Sequence, residues 1–151
     1  MLYDRYADSL HRVLLAILGS TTDAEDALQE LFVKIACGRM ARVRDLRAYL
    51  FTAARHEAYN MLRRRRRERP LEASDLNAEV TVTPPGSDIQ VLLQQLPTEQ
   101  REVIALKVYE GLTFAEIATI VKASPNTVAS RYRYGIEKLR VWFQEEDNDE
   151  D

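Results

Sequence analysis

The sequence contains one cysteine, two histidines and no long apolar run, and each shortage excludes a class of protein. Cys37 alone can form neither an internal disulfide nor a thiolate metal cage, and the histidines add no ligand set with metal-binding spacing. We therefore expect no metal ion and no cofactor. A bilayer span needs about 18 apolar residues, and the N-terminus lacks the apolar core of a secretory signal, so we expect a cytoplasmic protein without membrane insertion.

Catalytic motifs are also missing from the sequence. Ser9 and His11 are close neighbours on a predicted helix, but no third partner or oxyanion element accompanies them. Neither a glycine-rich phosphate loop nor a motif of paired carboxylates occurs. We expect a protein that is not an enzyme.

Charge is distributed unevenly along the chain, although the net charge is only -3. Residues 1–70 carry 14 basic and 9 acidic side chains, and residues 71–94 carry 0 and 4. Residues 95–140 carry 7 and 5, and residues 141–151 carry 0 and 6. Two basic blocks with an acidic spacer between them and an acidic tail after them indicate two modules that face a polyanion.

Apolar residues recur at three- and four-residue steps in both basic blocks, which is typical of helices. In the first block the pattern predicts three helices. The first ends at Gly19, the second opens with a capping box of Thr22 and Glu25, and the third is capped by Asp45 and stopped by Pro70.

The second block follows an aperiodic stretch that contains the Pro-Pro-Gly breaker of residues 84–86. Thr113 and Glu116 form a second capping box, and Ser124 is a predicted N-cap with Pro125 at the first helical position. The pattern predicts an all-α fold of two small helical domains, a three-helix bundle and a helix-turn-helix domain, joined by a flexible linker. The predicted divisions are residues 1–69, the linker 70–88, residues 89–143 and an acidic tail at 144–151.

The last predicted helix has the position and polarity of a DNA recognition helix. In a helix-turn-helix, the N-terminal residues of the second helix contact base edges in the major groove. If Val128, Tyr132, Ile136 and Leu139 face inward, a polar stripe faces outward, and the alternative is an ordinary solvated helix face. The candidate DNA-binding side chains are Pro125, Asn126, Thr127, Ser130, Arg131, Arg133, Tyr134 and Lys138.

The third predicted helix ends in five adjacent arginines, residues 63–67. They surround the helix, so they cannot all serve one surface, and non-specific contact with a polyanion is the alternative. Arg55 and Asn60 are predicted on one side of the helix together with His56, and Tyr49 and Phe51 lie near its start. Aromatic rings beside a basic track can hold unstacked bases of single-stranded DNA, although the same two rings could belong to the core.

Together these segments resemble the extracytoplasmic-function (ECF) group of bacterial sigma factors, the small two-domain members of the sigma-70 class. Residues 23–32, DAEDALQELF, look like the region 2 helix that docks on the clamp helices of the largest polymerase subunit. Residues 46–55, LRAYLFTAAR, are similar to the helix that melts and reads the -10 element. Residues 96–103, 111–118 and 124–131 look like region 4, which reads the -35 element and touches the flap of the second-largest subunit.

The resemblance implies a sigma factor that directs core RNA polymerase to promoters and helps to open the -10 DNA. Its implied partners are core RNA polymerase, double- and single-stranded promoter DNA, and an anti-sigma factor. The implied polymerase-binding residues are Asp23, Glu25, Asp26, Gln29, Glu30 and Phe32. The implied -10 residues are Arg42, Arg44, Arg47, Tyr49, Arg55, His56, Asn60, Arg63 and Arg64, and the family usually has Trp, Asn and Asp where Tyr49, His56 and Asn60 stand.

Two other interpretations fit parts of the sequence. A stand-alone helix-turn-helix regulator would explain residues 96–140, but its dimerisation bundle would not need an aromatic, arginine-rich helix or a long anionic linker. A helical adaptor that binds acidic proteins would explain the basic blocks alone. We also hypothesise that the tail at residues 145–151 docks on the basic faces of the free protein.

Overall fold

The computed structural model describes residues 2–38, 44–68 and 88–149, and every regular element within these ranges is helical. This confirms the predicted all-α class for the described residues. The predicted linker, apart from Asp88, and the part of the basic loop that contains Arg42 lie outside them. The elements are α1 (Leu2–Leu18), α2 (Thr21–Cys37), α3 (Leu46–Glu68), α4 (Asp88–Gln94), α5 (Thr98–Ile104) with a π-helical continuation (Ala105–Tyr109), α6 (Phe114–Val121) and α7 (Pro125–Asp149).

The N-terminal bundle consists of α1, α2 and α3, as the sequence predicts. Leu10 and Leu14 of α1 are fully buried, as are Leu50 and Phe51 of α3. Ala27 of α2, also fully buried, has a small side chain that lets helices approach closely. Burial of each large side chain stabilises the fold by about 1.5–3 kcal/mol, so the apolar stripes read from the sequence hold this bundle together.

Of the three helix boundaries predicted at Gly19, Thr22 and Asp45, the first and the last are confirmed and the one at Thr22 is wrong. Gly19 follows α1 with φ of +71°, a left-handed conformation that favours glycine. The N-cap of α2 is Ser20, whose hydroxyl accepts a hydrogen bond from the amide of Asp23 at 3.3 Å. Thr22 is not the cap because α2 has already begun at residue 21. Asp45 caps α3 as expected, since its Oδ1 accepts from the amide of Ala48 at 3.1 Å.

The C-terminal bundle consists of α4 to α7, with α6 and α7 forming the helix-turn-helix. The predicted capping box is present, with Thr113 Oγ1 accepting from the Glu116 amide and the Glu116 carboxylate accepting from the Thr113 amide. Ser124 Oγ accepts from the Thr127 amide at 3.1 Å, which confirms the second cap. Lys122 makes the turn between them with φ of +57°.

Helix α7 is longer than the sequence indicated. The helix continues to Asp149, past the predicted boundary between domain and tail at residue 143, where the side chain of Phe143 is 40% exposed. At 1.5 Å per residue, its 25 residues span about 37 Å. Residues 145–149 are part of this helix and lie at the end opposite to Asn126. This described part of the acidic tail is therefore too far from the start of α7 to contact it.

The two bundles pack directly against each other. One apolar cluster includes Leu10 and Leu14 of the N-terminal bundle together with Val103, Leu106 and Ile117 of the C-terminal bundle. A second cluster, within the C-terminal bundle, joins α4, α5 and α7. The sequence predicted two modules, and only the structure shows that they share a core.

Candidate nucleic-acid interface

The start of α7 presents the polar surface that the sequence predicted. Val128 is fully buried and Leu139 is 5% exposed, while Tyr132 and Ile136 pack at the edges of the core. This orientation confirms the inward stripe. On the other side Pro125, Asn126, Thr127, Arg133, Tyr134 and Lys138 are exposed, and Ser130 and Arg131 are half-buried.

Arg131 is the most constrained of these candidates. Its side chain is 27% exposed, and Nη2 lies 4.0 Å from Oε2 of Glu99 on α5. This long ion pair orients the guanidinium along the surface of the C-terminal bundle. The guanidinium of Arg133 lies over the ring of Tyr134, 5.6 Å from its centroid, so the two exposed side chains form a cation–π contact.

One side of α3, which we call the open face, carries most of the candidate -10 residues. Tyr49 is 40% exposed at the start of the helix. His56, Arg63 and Arg64 are exposed, and Asn60 is half-buried and accepts a hydrogen bond from Arg63. Arg44, just before the helix, is also exposed. The structure therefore brings an aromatic ring, a histidine, an amide and arginines onto one accessible surface.

The opposite side of α3, which we call the covered face, contacts the C-terminal bundle. The prediction that Arg55 lies on the same side as His56 and Asn60 is wrong, because successive helical residues are rotated by about 100°. Arg55 instead shares a side with Tyr59 and points to α5. Arg47 donates a hydrogen bond to the backbone carbonyl of Glu110. Phe51 is 1% exposed, so of the two aromatic candidates it belongs to the core.

A buried carboxylate lies at the centre of the contact between the bundles. Glu102 of α5 is fully buried, and its carboxylate accepts two hydrogen bonds from Arg55, one from Nε at 2.8 Å and one from Nη2 at 3.2 Å. Tyr59 Oη donates to the same carboxylate at 3.0 Å. Burial raises the pKa of Glu102, and the hydrogen bond and positive charge of Arg55 oppose this rise. Burial likewise raises the pKa of Tyr59, assisted by the charge of Glu102.

Sequence reasoning did not identify Glu102, and the available signal was weak. Glu102 precedes Leu106 by four residues, so it falls on the apolar side of its helix, where a carboxylate requires a partner. The partner Arg55 is 47 positions earlier in the chain and cannot be inferred from spacing.

A polar depression of about 320 Å³ separates α2 from the open face of α3. Lys34 and Glu57 form an ion pair of 2.5 Å beside it, and the hydrogen bond that Lys34 donates to the Glu57 carboxylate raises the pKa of Lys34. Arg63, Arg64 and Arg67 line it together with Asn60 and the carboxylate of Glu30. The depression is suited to a phosphate or a polar base edge.

The acidic surface of α2 is only partly what the sequence suggested. Glu25, Asp26, Gln29 and Glu30 are exposed on its outer side. The other two candidates are already engaged, since Asp23 forms an ion pair with Arg65 and Phe32 packs against the core. Four exposed polar residues therefore remain available to a partner.

Neither a metal site nor a membrane span is found in the part of the chain that the structure describes. In residues 2–38, 44–68 and 88–149, no group of His, Cys, Asp and Glu could hold a metal ion. None of the helices there combines the length and the apolar character that crossing a bilayer requires.

Comparison with known proteins identifies the family. The model of Sigma-70 region 2 matches residues 2–68, and the model of Sigma-70 region 4 matches residues 87–139. The ECF RNA polymerase sigma factor SigL of Mycobacterium tuberculosis is 32% identical over 157 aligned positions, which cover 95% of this chain and 88% of SigL. The chain is an ECF sigma factor of the sigma-70 family.

A further relative agrees with this assignment, and two solved structures share the fold. The sigma factor CarQ of Myxococcus xanthus is 29% identical, with 92% of this chain and 85% of CarQ covered. The fold is similar to RpoE in its complex with the anti-sigma factor NepR from Bartonella quintana, with a TM-score of 0.74, 24% identity and 94% of each chain covered. It is also similar to CnrH in complex with the cytosolic domain of CnrY, with a TM-score of 0.67, 24% identity and coverage of 95% and 85%.

Family membership confirms the function that the resemblance implied. As a sigma factor, the protein directs core RNA polymerase to promoters and takes part in transcription initiation. The stand-alone helix-turn-helix regulator is not favoured, because the N-terminal half matches region 2 along almost its entire length.

Proposed function

We propose that this sigma factor divides its work among three helix surfaces. The exposed acidic residues of α2 dock on core polymerase, the open face of α3 holds the -10 strand, and the start of α7 reads the -35 duplex. The observation that carries this proposal is the placement of the candidate residues that remain exposed: in each set they lie on one helix surface or, in the case of Arg44, just before it. The helical core behind each surface fixes its side chains relative to the backbone.

The chemistry of the open face fits a melted DNA strand. Tyr49 offers an exposed ring on which a base can stack, and such stacking contributes about 1–3 kcal/mol per base. Arg63 and Arg64 supply positive charge for the phosphates, and Asn60 and His56 offer hydrogen bonds to base edges. Arg44 extends this basic track beyond the start of the helix.

The start of α7 has the features of a major-groove reader. Asn126 is exposed and can pair with adenine, and Arg131 can pair with guanine after it leaves Glu99. Arg133 and Lys138 lie farther along the helix, where they can contact phosphates. Ser124 fixes the first turn through its bond to the Thr127 amide, which orients the helix end for the groove.

The partners follow from the same surfaces and from the relatives. Polymerase docking on α2 uses Glu25, Asp26, Gln29 and Glu30, which favour a cationic partner. RpoE and CnrH are solved with proteins that bind them, NepR and CnrY, and we propose that an anti-sigma factor regulates this chain as well. The protein acts in the cytoplasm, where polymerase is found, and performs no catalysis of its own.

Co-purification with bacterial core RNA polymerase tests the docking surface. The variant carries Asp26→Lys with Glu30→Lys, which reverses two exposed charges of α2. Its matched control carries Asp4→Lys with Asp8→Lys, the same charge change on exposed positions of α1. We expect the wild type and the control to bind polymerase and the α2 variant to bind at least about tenfold more weakly. Equal binding by both variants would remove α2 as the docking surface.

A further inference from the structure

The covered face of α3 forms hydrogen bonds to the C-terminal bundle that a role in -10 DNA binding does not explain. Arg47 and Arg55 were predicted to contact -10 DNA, yet both bond to the C-terminal bundle. Arg12 of α1 adds a third arginine, whose Nη2 lies 3.2 Å from the Glu110 carboxylate. The C-terminal bundle thus offers carboxylate and carbonyl oxygens to a row of arginines on the N-terminal bundle.

We propose that Glu102, held by Arg55 and Tyr59, is an autoinhibitory latch that keeps the two bundles closed until the promoter complex forms. This inference rests on the proposed -10 and -35 surfaces. The latch acts by competition, because Glu102 occupies Nε and Nη2 of Arg55, the pair of donors with which this guanidinium would bind a DNA phosphate in a bidentate manner. A carboxylate that accepts from Nε and Nη2 of one guanidinium takes the place that two phosphate oxygens would occupy.

Geometry supports the need for opening. The names of the -10 and -35 elements place their centres about 25 base pairs apart, or about 85 Å at 3.4 Å per base pair. A compact chain of 151 residues has a radius of gyration of about 15 Å and is about 40 Å across. The closed body is therefore too short to reach both elements. The 20 residue steps from Glu68 to Asp88 correspond to a chain length of at most about 72 Å, so the length of the sequence between the bundles permits them to separate.

The composition of the contact explains why a polar latch matters. Val103 and Leu106 join the core of the N-terminal bundle, and apolar contacts of this kind attract without regard to geometry. Glu102 is the one fully buried carboxylate among the described residues, and it is satisfied only while Arg55 and Tyr59 stay in place. Separation of the bundles breaks both bonds, so the latch defines one closed orientation and opposes partial opening.

The distance between the bundles in the free protein tests the latch directly. Cys37, the sole cysteine of the chain, is exposed on α2, and Glu137→Cys adds a second exposed site on α7. Spin labels at these two positions report the inter-bundle distance by double electron-electron resonance. The test variant is Glu102→Gln in this background. The matched control is Asp8→Asn, which removes one negative charge from an exposed position of α1 that lies on none of the three proposed surfaces.

We expect one short, narrow distance for the wild type and for Asp8→Asn, and the same DNA affinity for both. In Glu102→Gln the open population should increase by about tenfold or more, since one partner of a buried ion pair has been removed. Affinity of the free protein for a fluorescein-labelled single-stranded DNA 15-mer should rise by a similar factor in fluorescence anisotropy. An unchanged distance distribution in a folded Glu102→Gln protein would overturn the proposal, as would an unchanged DNA affinity despite opening.

A milder variant keeps the proposal testable if Glu102→Gln fails to fold. Tyr59→Phe removes one hydrogen bond to the carboxylate and leaves the ring and the charges in place. It should open the bundles in the same direction by about fivefold, and no change in either readout would overturn the latch. Core-polymerase binding is measured on every variant. Loss of polymerase binding by the wild type would contradict the proposed function, whereas the distance data report the latch independently.

Discussion

Replacement of Arg101 should destabilise the whole protein more than replacement of any exposed arginine. This side chain of α5 is half-buried and reaches the end of α1, where Nε donates to the carbonyl of Ala16 at 3.0 Å and Nη2 to that of Ile17 at 2.9 Å. It also donates to the carbonyls of Leu96 at 2.8 Å and Gln94 at 3.4 Å and to Thr98 Oγ1 at 3.0 Å, which makes five bonds in all. Burial lowers its pKa, yet a guanidinium stays charged at neutral pH because its ordinary pKa lies above about 12. One charged group therefore joins both bundles.

The expected magnitude follows from the number of bonds lost. A hydrogen bond from a charged donor contributes about 1.5–3 kcal/mol. In Arg101→Lys one ammonium with three N–H donors replaces the planar fork, so at most three of the five bonds survive and the free energy of unfolding should fall by about 3 kcal/mol. Arg101→Met loses all five and leaves the α1 carbonyls without this partner, for a loss of about 7 kcal/mol at the lower value per bond. Either value is a large part of the roughly 5–15 kcal/mol that stabilises a typical domain.

Urea unfolding, followed by far-UV circular dichroism and by the fluorescence of Trp142, measures these losses. The control is Arg140→Met on the exposed surface of α7, which should change the free energy of unfolding by no more than about 0.5 kcal/mol. The reasoning would be refuted if Arg101→Lys cost less than about 1 kcal/mol, because the forked geometry would then have no energetic role.

Three further predictions concern DNA reading, a helix cap and the core. Arg131→Glu should weaken -35 duplex binding by about 1–3 kcal/mol in an electrophoretic mobility assay with the holoenzyme; an unchanged affinity would place Arg131 off the bases. Thr113→Ala should lower the free energy of unfolding by about 1 kcal/mol, measured in urea. The Thr113 amide also holds the pKa of exposed Glu116 below its ordinary value. In the wild type this contact therefore contributes stability above the ordinary pKa of Glu116, and the contribution is lost as the pH falls through the lowered pKa of the folded state. Glu116→Gln should flatten this acid dependence, and a variant with the same pH profile as the wild type would contradict it. Phe51→Ala should lower the free energy of unfolding by about 3–5 kcal/mol, measured in urea, because the ring is 1% exposed, whereas a loss under 1 kcal/mol would show that the site collapses without a cavity.

Local patterns in the sequence predicted the helices well. The apolar periodicity places Leu10, Leu50 and Val128 inward, and all three are fully buried. The caps at Asp45 and Thr113 are present because a capping side chain bonds to an amide only three residues away. The same local reasoning missed Ser20, where two threonines follow a serine and the true helix start decides between them.

The sequence predicted which residues form the candidate site better than it predicted which way their side chains point. The residue types of the open face, such as Tyr49 and Arg64, were identified because basic and aromatic side chains suit single-stranded DNA. Arg55 belongs to the same segment but faces the other way. One segment of sequence contributes residues to every face of a helix, and only the packing of α3 against α5 decides which face is covered.

What the sequence determined by itself is therefore the helical content, most helix ends, the family and the chemistry of each surface, since these depend on neighbouring residues or on whole-segment resemblance. The tertiary structure decided how the bundles meet, why Glu102 is buried, and why Arg101 contacts α1. Glu102 and Arg55 are 47 positions apart, and Arg101 is 84 from Ile17. Such pairs form when apolar stripes on distant helices bury each other, and the polar groups carried with them then require partners.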